Sequence, residues 1–244
     1  MGLDALETQE TRGTPETGIA GDRSKTRTLP AAERRLIVGC LLLVGLTAFF
    51  YLARWTMTGR GMTFLIWNLF LAAIPVGVAL IARHSHSRPW FWGLLLVWLI
   101  FFPNAPYIVT DLMHIRTARP ANLWLDVLVL GSFAITGLVA GLVSLRWMHE
   151  ALLRRAFSAR VGWAFVALVS LLSGFGVYLG RFQRWNTWDI VTRPTELLAE
   201  AWSALTETHV LGFSLLFSLV VLGGYAFMSV MLGPPLNAAS DTSR

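Results

Sequence analysis

Polar and apolar positions separate sharply along this 244-residue chain: six long apolar stretches alternate with short polar connections. The stretches run approximately over 36–53, 63–82, 90–109, 123–145, 161–180 and 211–232. The hydrocarbon core of a bilayer is about 30 Å thick, so a crossing helix needs about 20 mostly apolar residues. Lipid offers no partner to backbone N–H and C=O groups, so each such stretch must satisfy its own by coiling into a helix. The pattern therefore predicts an all-α fold, a polytopic membrane bundle of six transmembrane helices. The third stretch carries Pro103 and Pro106, which remove two backbone donors and disfavour helix at the residues before them. It is expected to end early or to break towards its second end.

A shorter pattern lies between the fifth and sixth stretches. Over 194–209, Leu197, Leu198, Ala201, Trp202 and Leu205 form one helical face and Glu196, Glu200 and Glu207 another. This suits a short interfacial helix on the membrane surface, and equally a solvated loop helix packed on the bundle. The pairs Gly137 and Gly141, and Gly176 and Gly180, have the small-x-x-x-small spacing that lets helix backbones approach closely. Residues 1–33 have no apolar periodicity up to the first stretch and read as a disordered cytoplasmic tail. The transmembrane domain is expected over 34–233, with a short cytoplasmic tail at 234–244. No small-x-small cleavage site follows the first apolar stretch, so it should serve as an uncleaved anchor.

Composition agrees with this division and sharpens it. Hydrophobic residues make up 55% of the chain and charged residues only 14%, and the mean hydropathy is +0.58, too apolar for an ordinary soluble domain. The net charge of +6 arises beyond position 35, where 14 basic residues face 8 acidic ones in short loops. In a membrane protein that surplus reads as topology and contact with anionic lipid, and nucleic-acid binding is not expected. Counted on alternate sides, the end holding both termini has 13 basic residues and the other end 7. The positive-inside rule then places both termini in the cytoplasm of a multi-pass protein of the cell inner membrane. Trp90, Trp92, Trp147 and Trp163 fall at the cytoplasmic helix ends, and Trp55, Trp124, Trp185 and Trp188 at the outer ones. Trp67 and Trp98 fit neither belt. Cys40 is the single cysteine and lies inside an apolar stretch, so no intramolecular disulfide or cysteine-based metal site is available.

The motifs of P-loop nucleotide binding, serine hydrolysis and zinc proteolysis are absent. What remains is a gathering of polar residues at the outer end. Asn104, Asp111, His114, Arg116 and Asp126 surround the connection between the third and fourth stretches, and Arg181, Gln183, Arg184, Asn186 and Asp189 follow the fifth. Asp111 and His114, at i and i+3, share one face of any helix they occupy. That spacing suits a metal, or a histidine held in one tautomer by the carboxylate as a general acid or base; otherwise Asp111 caps a short helix while His114 sits at the interface. Asp126 lies a few residues inside an apolar stretch, where an unpaired carboxylate is costly, so it should have a partner. Arg181 and Arg184 are the expected guanidinium partners, in a clamp that is structural or part of a site.

Two segments carry a family likeness. Phe102-Pro103-Asn104-Ala105-Pro106-Tyr107-Ile108-Val109-Thr110-Asp111-Leu112-Met113-His114 and Gly180-Arg181-Phe182-Gln183-Arg184-Trp185-Asn186-Thr187-Trp188-Asp189-Ile190 resemble the signature segments of the bacterial membrane-protein family catalogued as domain of unknown function 1361. The resemblance extends from about residue 40 to 230, and Met113 stands where Leu or Ile would be expected. It implies a multi-pass inner-membrane protein and brings no established reaction, and the cofactor is left unknown. From the residues themselves, the expected site faces outward and is built from Asn104, Asp126, Arg181, Arg184, Asn186 and Asp189, with Asp111 and His114 as catalytic candidates. Its expected ligand is an anionic lipid headgroup or a cell-envelope precursor. A small transporter or channel, and a structural or assembly partner in the membrane, are the other classes that the sequence leaves open.

Overall fold

The computed structural model describes residues 31–117, 120–155 and 157–235. Among these, six helical segments are long and apolar enough to cross a membrane, and no strand occurs. The segments are α1 (Ala31–Thr58), α2 (Thr63–His84), a broken third crossing, α5 (Leu123–Leu153), α6 (Ala159–Phe182) and α9 (Thr208–Leu232). They alternate in direction, so both ends of the described chain lie at one end of the bundle, here the near end. The connections at 59–62, 102–117 and 183–207 lie at the far end. The expected tails fall outside the described residues, apart from the first turn of α1 and Pro234 and Pro235.

The third crossing breaks where the prolines are. Helix α3 (Arg88–Phe101) has 14 residues, about 21 Å at the α-helical rise, too short to cross by itself. A turn follows, then the single turn α4 (Asn104–Tyr107) and a ten-residue 3-10 helix, Ile108–Thr117. Pro103 and Pro106 supply no N–H, so the α-helical ladder cannot run through them. A 3-10 helix rises about 2.0 Å per residue, and it carries the chain over the remaining depth. Runs of this length are uncommon because their hydrogen bonds are poorer, so this one relies on packing.

That packing is supplied by glycine. A Cβ on Gly137 would lie 2.7 Å from Ile108 Cδ1 and 2.9 Å from the Ala105 carbonyl oxygen, and one on Gly141 would lie 3.1 Å from Ala105 Cβ. On α6, a Cβ at Gly176 would lie 3.0 Å from Pro103 and one at Gly180 3.4 Å from the Tyr107 ring. Both spaced glycine pairs thus form troughs for the broken segment 103–108, held between α5 and α6. Gly174 serves a direct backbone contact between spanning helices: a Cβ there would overlap the Ser214 carbonyl oxygen of α9.

Helix α5 is the central element, touching α1, α2, α4, the 3-10 helix, α6 and α9. It runs eight residues beyond the expected end at 145, and everything from Gly141 to Leu153 is buried. Residues read as a loop from 146 onward are helical to Leu153 because α2, α3, α6 and α9 surround them. Helix α1 packs mainly on α5, through Thr47 Oγ1 to Thr136 Oγ1 at 2.8 Å and a far-end ion pair described below. Its remaining face exposes Leu41, Leu42 and Phe49, as a lipid-facing helix does. At the far end, α7 (Asp189–Thr192) and α8 (Pro194–Ala204) fill the connection to α9. On α8, Leu198 and Trp202 are exposed and Ala204 is buried.

Candidate functional site

The break in the third crossing leaves a cavity of about 210 Å3 at the far end, between α2, the α3–α4 turn, α6 and the 185–197 connection. Its polar walls are Asn68, Asn104, Asn186 and Thr187, and its aromatic walls are Trp67, Tyr107, Trp185 and Trp188. Trp67 and Trp188 are about half exposed, at 52% and 47%, so the cavity opens to its surroundings. Trp67, which fitted neither aromatic belt, is one of these walls.

Beneath the cavity lies a buried ion pair. Arg181, in the last turn of α6, donates from one NH2 group to Asp111 Oδ1 and from Nε to Thr110 Oγ1 at 2.7 Å. Its guanidinium sits over the Tyr107 ring, 4.4 Å from the centroid. The other Asp111 oxygen accepts Asn68 Nδ2 at 2.8 Å. Asp111 is 1% exposed, and at this burial the charge requires these donors. Asn68 lies five residues into α2 from the far end, and it joins the ion pair to the cavity wall. Nothing in its local sequence marks that role.

The polar residues expected at one site divide into several groups. Asn104 and Asn186 line the cavity. Asn104 Nδ2 donates to Thr187 Oγ1 at 3.0 Å and to the Phe101 carbonyl at 2.9 Å, which ties the break to the loop after α6. Asp189 stands behind Asn186. Its carboxylate accepts the Asn186 backbone N–H at 2.8 Å and faces Arg193 at 3.1 Å. The Asn186 N–H first, then Arg193 and Thr192, hold its carboxyl below the usual range. The Arg193 guanidinium in turn covers the Trp185 ring at 4.6 Å.

Asp126 is paired by neither expected arginine. Arg54 of α1 supplies the partner, Nε to Oδ1 at 2.5 Å, and its NH1 also donates to the Arg60 carbonyl at 2.6 Å. The reason is directional: Asp126 is on the face of α5 turned towards α1, and Arg181 is already engaged by Asp111. Arg184 is exposed and takes a positive φ of 62°, capping α6. His114 Nδ1 faces the Asp111 main-chain carbonyl at 3.0 Å, while the carboxylate is 4.0 Å away. Its ring packs on Phe64 at 4.8 Å, and it does not line the cavity. The Asp111 carboxylate therefore orients an arginine and an asparagine more closely than it does the histidine.

A second buried polar group lies at the near end, where the sequence showed only a basic loop. Arg146 Nε meets Glu150 at 3.1 Å and its NH1 donates to the Gly233 carbonyl at 3.1 Å, closing the end of α9. His149 Nδ1 lies 2.7 Å from Tyr225 Oη, and its Nε2 is buried with no hydrogen-bond partner among the described residues. Along α5 this group is separated from Gly137 and Gly141 by the packed apolar layer of Leu142, Val143 and Leu145 with Trp98 and Phe102. Reading 146–160 as a loop hid it, because a loop arginine needs no partner.

Comparison with known proteins gives one match. The family model described as "Protein of unknown function (DUF1361)" matches residues 67–223, a narrower stretch than the likeness expected from about 40 to 230. Every residue lining the cavity, from Trp67 to Leu197, falls inside it, whereas α1 and Arg54 lie outside. No curated protein matches the chain, and no solved structure does.

Proposed function

Because the chain belongs to the family of domain of unknown function 1361, which prescribes no reaction, we propose from the site alone that this membrane protein binds the headgroup of a lipid or a lipid-carried cell-envelope precursor at its far end. In this reading the far end faces outward and both termini lie in the cytoplasm of a bacterial inner membrane, as the distribution of basic residues supports. The observation that carries the reading is the cavity itself: polar amides line its interior, while the half-exposed Trp67 and Trp188 form its rim. Indoles prefer the level of the headgroups, so such a mouth admits a head while leaving a tail in the hydrocarbon. Helix α8 supports the same placement. Leu198 and Trp202 are exposed, and a surface helix with an uncovered apolar face suits the membrane interface better than water.

The experiment compares lipids retained by the purified full chain using native mass spectrometry. Wild-type protein should carry a lipid species that Asn104→Ala and Thr187→Val lose while both variants keep the helical circular dichroism of the wild type. Identical lipid populations in all three would defeat the reading. A small transporter or channel is the second reading. It is favoured by the near-end group of Arg146, His149 and Glu150, which puts buried ionisable residues in both halves of the bundle. Flux of a headgroup-sized solute through reconstituted protein, abolished by His149→Phe, would favour it over simple binding.

A further inference from the structure

We propose that the headgroup taken by the far-end cavity is an uncharged sugar ring and not a bare phosphate; this rests on the headgroup reading above and specifies its ligand. The lining contains no Asp, Glu, Lys, Arg or His. Its polar side chains are Asn68, Asn104, Asn186 and Thr187, all neutral. An amide offers both donor and acceptor atoms, which matches adjacent hydroxyl groups, whereas a buried phosphate needs cationic donors.

Two cations that stack on the cavity walls are already committed. Arg181 bonds Asp111 and Thr110 and sits over Tyr107; Arg193 pairs with Asp189 and covers Trp185. Each guanidinium is stacked on an aromatic ring that itself lines the cavity, and each is neutralised by a carboxylate that does not. An anion entering here would meet rings and amides, with two buried carboxylates close behind them.

The same arrangement fixes the amides. Asn68 Nδ2 is held by Asp111 at 2.8 Å. The Asn186 backbone is pinned by Asp189 at 2.8 Å. Amide groups positioned before the ligand arrives lose little rotational freedom on binding. Four aromatic side chains complete the walls, and the C–H faces of a sugar ring pack on such surfaces while its hydroxyl edge meets the amides. A volume of about 210 Å3 is below the usual range for drug-sized ligands and accommodates a single ring.

The test uses the full chain in phosphatidylcholine nanodiscs prepared without sugar-based detergent, with tryptophan emission as the readout. Monoglucosyl diacylglycerol, phosphatidic acid, diacylglycerol and methyl glucoside are each titrated. Saturable binding of the glucolipid, at least tenfold tighter than phosphatidic acid and diacylglycerol, is expected. Asn186→Ala should weaken it tenfold or more with little change in melting temperature, since the 2.8 Å backbone bond to Asp189 is retained and only the 3.4 Å side-chain bond is lost. Equal binding of methyl glucoside would keep the sugar and assign a soluble source. Binding of phosphatidic acid as tight as, or tighter than, that of the glucolipid, lost in Asn186→Ala, would overturn the sugar and keep the headgroup reading. Binding of none of the four would overturn both.

Discussion

Arg181 and Asp111, 70 positions apart in the chain, close an ion pair that joins the end of α6 to the 3-10 helix. Their side chains are 12% and 1% exposed, so removing one partner leaves the other charge buried. Arg181→Met is expected to cost about 3–5 kcal/mol. Asp111→Asn should cost less, because an amide can still accept a hydrogen bond from Arg181 or Asn68. The double variant Asp111→Asn/Arg181→Met should recover part of the loss, since no uncompensated carboxylate remains. Unfolding of each purified variant under the same detergent conditions measures the order; a double variant less stable than Arg181→Met would contradict the assignment.

Gly174 and Gly137 test the two kinds of close approach. Alanine at 174 would meet the Ser214 backbone, which cannot rotate aside, so α6 and α9 must part. Alanine at 137 meets a flexible isoleucine and one backbone oxygen of the broken segment. Both should destabilise, by about 1–3 kcal/mol as overpacking does, with Gly174→Ala the worse. Gly212→Ala meets nothing within 4 Å and should be neutral or slightly stabilising in a helix. Thermal unfolding of the three variants checks the ranking.

Much of the bundle was legible because hydrocarbon imposes a length and an apolar composition on each crossing, and the prolines announced the break. Pairing within the bundle was less accessible. Asp126 was recognisable as a carboxylate in need of a partner, yet which arginine answers it depends on the rotation of α1 against α5, and Arg54 was read as a loop residue. Asn68 is a polar residue within an apolar stretch, and its partner Asp111 is 43 positions away on a segment of irregular geometry. The near-end group was hidden for a different reason: Arg146, His149 and Glu150 have the composition of a loop, and only enclosure by neighbouring helices makes α5 continue through them.

Asp189 gives a prediction in pH. Its folded carboxyl titrates below the unfolded value because the Asn186 N–H, Arg193 and Thr192 favour the ionised form. The stability it contributes is therefore fully present above the unfolded value of about 3.9 and is lost as pH falls through the lowered folded value. Acidification below about pH 4 should loosen the 186–193 connection, and Asp189→Asn should show that looseness already at neutral pH. Hydrogen exchange of these amides against pH measures it; protection in the variant equal to wild type would refute the role.

Arg54 should govern how firmly α1 is attached. It reaches both Asp126 and the Arg60 carbonyl, whereas most of α1 faces outward. Arg54→Gln is expected to raise the protease sensitivity of the 58–62 turn and to lower the melting temperature. Binding at the far-end cavity should survive, because α1 contributes no residue to its walls. Loss of binding with α1 still in place would show that the two regions are coupled.

Arg184 separates a structural part from a ligand-binding one. It holds a φ of 62° at the end of α6, and the next residue, Trp185, returns its N–H to the Leu179 carbonyl at 3.2 Å. Glycine is the usual occupant of a left-handed position at a helix end. A branched backbone there costs about 1 kcal/mol or more. If Arg184 serves only the turn, Arg184→Gly should raise stability by roughly 1 kcal/mol and leave glucolipid binding unchanged, since its side chain is not among the cavity walls. If instead the guanidinium captures an anionic head, as its charge and place in the sequence suggested, the same variant loses affinity while gaining stability. Measuring both quantities on one protein decides between them, and a gain in stability with unaltered binding would remove Arg184 from the site.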